Sequence, residues 1–425
     1  MPGTAHRRSL LDASGVRALV ERLREPNGPA VRDVKLHAVH RPDPSVALSA
    51  WRVAFADGIE GPTQDAIVTL HQGPPSRIHR DRRHFEGRAD RPTSSAVSGC
   101  VLDGDETMLV SFPSDHRLRD LRWLCRASHL LRLVAASEVG QTGPGDRFSK
   151  RRSRFEVLRY VPEQRAVLRW EFPVIDDDTG EVRRTVSVHV LVDAREPRLD
   201  PHIVAESLAS VGVQSPTILA RPHAGFVLET TVPGRTWSGQ PEDAASLGEA
   251  VALLHGAPTP DDTPRSGVLD EMDRVLTASR LLEAADTELG RHAFAVADAL
   301  AERPPHPCPS SMLHGSLRPS RFRVLDGSPG LVGLSHAIVG SAAMDLASLQ
   351  SDANWDSIDP AWLPRFEQGY ASVRPLPEAA PLRWHLAAAM VRTACRRGAE
   401  ATERRVADTC RWLDQARVLA ESPSR

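Results

Sequence analysis

The chain reads as an α+β protein, with a strand-rich first half and a largely helical second half. Three observations predict this. Strand-like apolar runs mark 34–70, 96–102 and 108–112 and again 154–160, 166–172 and 184–192, the pattern that half-buried strands require. Beyond Val192 apolar residues recur every three or four positions, the spacing of amphipathic helices. At 425 residues the chain exceeds one core, so two or three domains are expected.

Taken in order, residues 14–23 carry apolar side chains at helical spacing, and Pro26 with Gly28 ends that helix. Strands follow over 34–70, marked by Trp51, Val53, Phe55, Ile67, Val68 and Leu70. Residues 71–92 are polar and rich in Arg, Pro and Gly, and read as a mobile loop. Within it, the cluster His79-Arg80-Asp81-Arg82-Arg83-His84 reads as solvated rather than metal-binding, because no strand or helix period fixes the histidines. Strands at 96–102 and 108–112 and one helix over 115–136 complete this region. Gly140-Gln141-Thr142-Gly143-Pro144-Gly145 reads as a linker.

A three-strand set is expected at 154–160, 166–172 and 184–192, with an acidic turn over 176–180. A weak internal repeat pairs Val39–Leu48 with Arg159–Leu168, both reading as strand, Pro-containing turn, strand. Shared turn chemistry and a true duplication explain it equally well. A helix at 202–209, strands at 217–220 and 225–230, and helices at 242–254, 269–289, 291–302, 383–397 and 402–420 follow. Asp326-Gly327 marks a hairpin.

Composition excludes several classes. The formal net charge is −2, and no basic stripe offers nucleic acid a surface. No apolar run reaches the roughly 18 residues of a membrane span. No continuous apolar segment follows the basic start of the chain, so a cytoplasmic location is expected. The five scattered cysteines form no Cys-x-x-Cys pair and read as reduced thiols. Lys35 and Lys150 are the only lysines.

One stretch carries most of the functional information: His314-Gly315-Ser316-Leu317-Arg318-Pro319-Ser320-Arg321. It stands among Arg159–Trp170, Val232-Pro233-Gly234-Arg235, Leu253-Leu254-His255 and Asp345-Leu346-Ala347 in an order that resembles the bacterial aminoglycoside, choline and maltose kinases. The resemblance covers about 153–420. It implies a two-lobed protein-kinase-like fold with an additional N-terminal α+β domain. The expected divisions are 1–145 for a cap-like domain, 146–231 for the N-lobe and 232–425 for the C-lobe.

The resemblance also implies positions for the chemistry, and this sequence departs from them. The family places an Asp after His-Gly and a metal-binding Asn five positions later; here they are Ser316 and Arg321. The metal-binding Asp aligns with Gly333, or Ser335 if the register slips, and no Asp or Glu occurs between Asp326 and Asp345. Asp345 matches an Asp that supports the fold. The phosphate-binding Lys aligns with His189, and Glu206 takes the place of that Lys's partner. The phosphate-facing turn is Pro162-Glu163-Gln164, where Glu163 would set a negative charge near a triphosphate. His314 is expected to pack and hydrogen-bond. His336 beside Ser335 is not expected to form a catalytic couple.

Ser316 is a very weak base, and Arg321 is a permanent cation that offers a metal no oxygen. The expected function is therefore a pseudokinase acting as a binding or regulatory module, with an unknown protein or small-molecule partner and no catalytic metal. His314, Ser316 and Arg321 are its degenerate catalytic positions. His189, Glu206, Arg318 and Arg321 would line a nucleotide cleft that takes ATP without magnesium. An active small-molecule phosphotransferase with displaced catalytic groups is the alternative.

Overall fold

The computed structural model describes residues 12–24, 29–43, 45–56, 65–86, 100–194, 197, 199–220, 225–259, 263, 265–398 and 403–422. The chain forms two compact units, Met1–Glu196 with Leu219–Glu229, and Pro197–Ile218 with Thr230–Arg425.

The first unit opens with helix α1 (Ala13–Leu23), started by Asp12, whose carboxylate accepts from the Gly15 N–H. The expected stop at Pro26 and Gly28 lies outside the described residues. Strands β1 (Val31–Asp43), β2 (Val46–Phe55), β3 (Ala66–Gln72), β4 (Cys100–Leu102) and β5 (Thr107–Ser111) form a sheet in the order β1-β2-β3-β5-β4. All seven residues of β3 are buried. Val68 and Leu70 face Val16, Leu19 and Val20 of α1. Ile67, on the opposite face, joins a second core with Tyr160, Trp170 and Val188.

Residues 75–86 are not a loop: they form helix α2 (Pro75–Glu86). Its first residue is proline, which suits a helix start. Its only large apolar side chains, Ile78 and Phe85, pack on Met108 and Val110. Two apolar positions seven apart leave too thin a stripe to register as a helix against eight charged or histidine side chains. The helix expected over 115–136 is broken into α3 (Leu121–Leu124) and α4 (Ala127–Ala135). Asp115 precedes both and caps the turn, accepting from the N–H groups of Arg117 and Leu118.

The second sheet contains β6 (Asp146–Phe148), β7 (Arg154–Val161), β8 (Arg165–Asp176), β9 (Val182–Asp193), β10 (Ile218–Ala220) and β11 (Phe226–Thr230), in the order β10-β11-β9-β8-β6 with β7 on β8. On β8, Ala166, Leu168, Trp170 and Phe172 are buried in strict alternation, each large side chain contributing about 1.5–3 kcal/mol. The acidic turn is present: the Asp176 carboxylate accepts from the N–H groups of Asp178 and Thr179.

In the second unit, α5 (Pro201–Ser210) and α6 (Pro241–Gly256) share a core with two small sheets. One runs β12-β15-β16, from β12 (Arg235–Thr236), β15 (Phe322–Leu325) and β16 (Ser328–Leu331). The other runs β13-β17-β14, from β13 (Arg265–Ser266), β14 (Ser310–Leu313) and β17 (Ile338–Ser341). The β15–β16 hairpin turns on Asp326 and Gly327, both at positive φ, 50° and 78°. That is the turn Asp-Gly predicts.

The remaining helices are α7 (Val268–Ala285), α8 (Thr287–Glu302), α9 (Ala342–Trp355), α10 (Trp362–Val373), α11 (Ala379–Gly398) and α12 (Glu403–Glu421). The expected helix 269–289 ends early because Asp286 leaves helical backbone and caps α8, accepting from Glu288 and Leu289. Leu282, Val296, Trp384 and Leu413 fill the core among α7, α8, α11 and α12. Among the described residues, no helix is long and apolar enough to cross a membrane.

Candidate functional site

The loop after β14 is anchored by one carboxylate. Asp345, in the first turn of α9, is 1% exposed. Its Oδ2 accepts from the His314 amide at 2.6 Å and its Oδ1 from the Gly315 amide at 3.0 Å. His255 Nε2 lies 3.3 Å from Asp345 Oδ2, and its Nδ1 lies 2.9 Å from the Tyr370 hydroxyl. Asp345 is thus occupied in holding backbone, the supporting part expected of it. Gly315 has φ 71°, and a side chain there would collide with the His336 carbonyl.

His314 is fully buried. Burial pushes its pKa down to about 4, and the nearby charges of Arg321 and Arg318 push the same way against Asp345. The ring is therefore neutral near pH 7. Its Nε2 lies 2.9 Å from the Val332 carbonyl, which assigns the proton to Nε2. A neutral, enclosed imidazole packs rather than shuttles protons.

Ser316 Oγ accepts from Arg318 at 2.8 Å. Arg323 donates to the carbonyls of Ser320 and Phe322, and burial lowers its pKa. Arg321 sits in a 3-10 turn, Pro319–Arg321. Its guanidinium covers Gly333, which has φ 80°, and Arg321 Cζ stands 2.8 Å from where a Cβ on residue 333 would be. Arg321 thus fills the space that a side chain at position 333 would take. Ser335 and His336 lie in a second 3-10 turn, Leu334–His336.

A pocket of about 70 Å³ opens beside Ser316. Ser348, Asp352, Arg392, Thr393 and Arg396 line it from α9 and α11. Arg392 donates to Ser348 at 3.3 Å and pairs with Glu271 at 2.9 Å; Arg396 pairs with Asp352. Sequence reasoning missed this wall. Its only signal is a matched spacing of four, Ser348 and Asp352 on one helix against Arg392 and Arg396 on the other.

The phosphate-facing turn of the resemblance, between β7 and β8, behaves differently from its expectation. Glu163 takes φ 58° and is 2% exposed, so its charge is turned inward. Arg77 pairs with it, His116 Nδ1 lies at 3.3 Å and Arg117 Nε at 3.5 Å. The Glu163 amide donates to Asp115 Oδ2 at 2.8 Å, and that oxygen also accepts from the Tyr160 hydroxyl at 2.9 Å.

The structure therefore brings His314, Ser316, Arg318 and Arg321 into one loop of the second unit. His189 lies on β9 of the first unit, opposite Arg169 of β8. Glu206 lies on α5 of the second unit, with Oε1 3.1 Å from His202 Nε2 on its own helix.

A protein-family model described as the phosphotransferase enzyme family matches residues 170–385, just over half of the chain. No curated protein matches the chain. Among solved structures, a choline/ethanolamine kinase family protein from Mesorhizobium loti is 18% identical, with a TM-score of 0.44, covering 70% of this chain and 96% of that one. The macrolide 2′-phosphotransferase from Brachybacterium faecium is 17% identical, with a TM-score of 0.42, covering 70% and 99%. An aminoglycoside phosphotransferase from Streptomyces rimosus is 17% identical, with a TM-score of 0.38, covering 56% and 92%.

Proposed function

Because the chain belongs to the phosphotransferase enzyme family, we propose that it is a pseudokinase, a kinase-like binding or regulatory module that does not transfer phosphate. The single observation that carries this reading is the Arg321 guanidinium over Gly333. Phosphoryl transfer on a kinase-like frame depends on a metal held by oxygen ligands, a positioning carboxylate and a Lys on the phosphates. A guanidinium supplies no oxygen, and its positive charge repels a divalent ion from the same place. Ser316 offers a hydroxyl where a carboxylate would orient the acceptor, and no lysine follows Lys150.

The polar pocket beside Ser316 supports a binding role. Any nucleotide bound is held without magnesium, because Arg318 and Arg321 supply the positive charge that a metal would.

The test is phosphoryl transfer from magnesium-ATP by the purified full chain to sugar, aminoglycoside and choline acceptors. The expected result is no transfer above a no-protein control. Transfer that disappears in Asp345→Ala while the fold persists would overturn the proposal. Calorimetric titration of ATP tests the metal: binding is expected to be equal with magnesium and with chelator, and binding that requires magnesium would contradict it.

A further inference from the structure

We propose that His71, Asp81 and Glu163 bind a divalent transition-metal ion of the zinc class, at a site borne by the first unit and unrelated to the loop at 314–321. The three residues come from three elements: β3, α2 and the β7–β8 turn. Their relative exposures are 3%, 3% and 2%. One donor atom from each lies within 4.8 Å of the other two, a spacing that a single ion with bonds of about 2.0–2.2 Å closes after small side-chain adjustments.

Two of the donors lack a hydrogen bond. His71 Nδ1 and Glu163 Oε2 are both enclosed without a hydrogen-bond partner, and their nearest charged neighbours, an Asp81 oxygen and Arg117 Nε, each stand 3.5 Å away. The Asp81 oxygen nearest His71 Nδ1 is 3.5 Å away, an ion-pair contact longer than the usual hydrogen bond of about 2.7–3.2 Å. Buried polar atoms without a hydrogen-bond partner are costly, and a cation bound among them removes the cost. The His71 ring is held by an edge contact to Phe85, centroids 5.8 Å apart, so the donor is aimed before any ion arrives.

Arg77 already bridges the two carboxylates, with Nε 2.8 Å from Asp81 Oδ2 and a terminal nitrogen on Glu163 Oε1. It does not exhaust them. A carboxylate has about four lone-pair directions, and ligating carboxylates are themselves hydrogen-bonded by outer partners, the place Arg77 takes here on one oxygen of each. The charges also leave room. Asp81, Asp115 and Glu163 are three buried carboxylates, and Arg77, largely enclosed, is the nearest cation. Arg80 and Arg117 come no nearer than 3.7 and 3.5 Å and are more than half exposed, so solvent screens them.

The donor set chooses the ion. One imidazole with two carboxylates, and the half-buried His116 beside Glu163, is a nitrogen-and-oxygen set that suits first-row divalent ions. Magnesium and calcium favour all-oxygen shells. Bound there, the ion would fasten the β7–β8 turn to β3 and α2.

The test uses the full chain, stripped with chelator, dialysed and reloaded with zinc or cobalt. Metal content by plasma mass spectrometry is expected to reach one equivalent per chain. Cobalt is expected to give visible bands of a low-coordinate nitrogen-and-oxygen site. Zinc is expected to raise the Tm, and His71→Gln to lose the metal while keeping its circular dichroism. Glu163→Gln is the second variant, with the same expected loss. Well under one equivalent on folded wild-type chain, or full loading of folded His71→Gln, would overturn the site. If both variants fail to fold, the wild-type stoichiometry and cobalt spectrum decide.

Discussion

The Arg321 guanidinium rests over the bare α-carbon of Gly333, with Cζ 2.8 Å from where a Cβ would stand. Each residue therefore explains the other. Gly333 has no side chain, and the long cation from the neighbouring turn takes the volume. The two positions form one packed contact, which a single substitution does not undo.

A substitution pair measures that contact. Gly333→Asp forces a side chain into left-handed backbone and into the guanidinium, and is expected to cost on the order of 2–3 kcal/mol. Arg321→Asn combined with Gly333→Asp is expected to cost less than the sum of the single changes, by about 1 kcal/mol or more. Urea unfolding of the four proteins in the cycle checks this. Strict additivity would mean that the two side chains do not compete for space.

Asp345→Ala strands the buried amide of His314 and the half-buried amide of Gly315, and removes the Nε2 partner of His255. The expected loss is on the order of 3 kcal/mol, seen as a fall in Tm. Asp345→Asn keeps acceptor capacity at one oxygen and is expected to lose less.

Stability is expected to fall in mild acid. Burial lowers the pKa of His314 and of His385 to about 4 in each case. The unfolded chain takes up these protons near the ordinary histidine value of about 6.5. The unfolded state then binds more protons below that value, so the contribution is complete above about pH 6.5 and is lost as pH falls to about 4. Each histidine contributes on the order of 3 kcal/mol at most. Urea midpoints measured across this range check the slope, and His385→Gln is expected to flatten it by about half, since its uncharged side chain does not titrate.

The parts of the fold written in local pattern were legible. The alternation along β8 and the Asp326-Gly327 turn both follow from neighbours in sequence. The family was legible too: the resemblance expected over about 153–420 contains the matched stretch 170–385. Helix α2 was hidden because Ile78 and Phe85 alone mark its buried side. Asp286 looked like one residue in a long helix, because a cap and a helical residue differ only in backbone angle. The site was half legible. Ser316 and Arg321 stand out in the string, but the cover that Arg321 makes over Gly333 depends on the register of a hairpin and a 3-10 turn. The inward turn of Glu163 depends on Arg77 and Asp115, 86 and 48 positions away, which no local pattern connects.

The amide of Glu163 offers a further reading. Its hydrogen is bonded to the enclosed carboxylate of Asp115, so water reaches it only when the hairpin separates from the segment that carries Asp115. Its rate of deuterium uptake is then a gauge built into the chain. One backbone hydrogen reports the free energy with which the β7–β8 turn comes away from the N-terminal half of its unit, at whatever pH, temperature or ligand concentration is chosen.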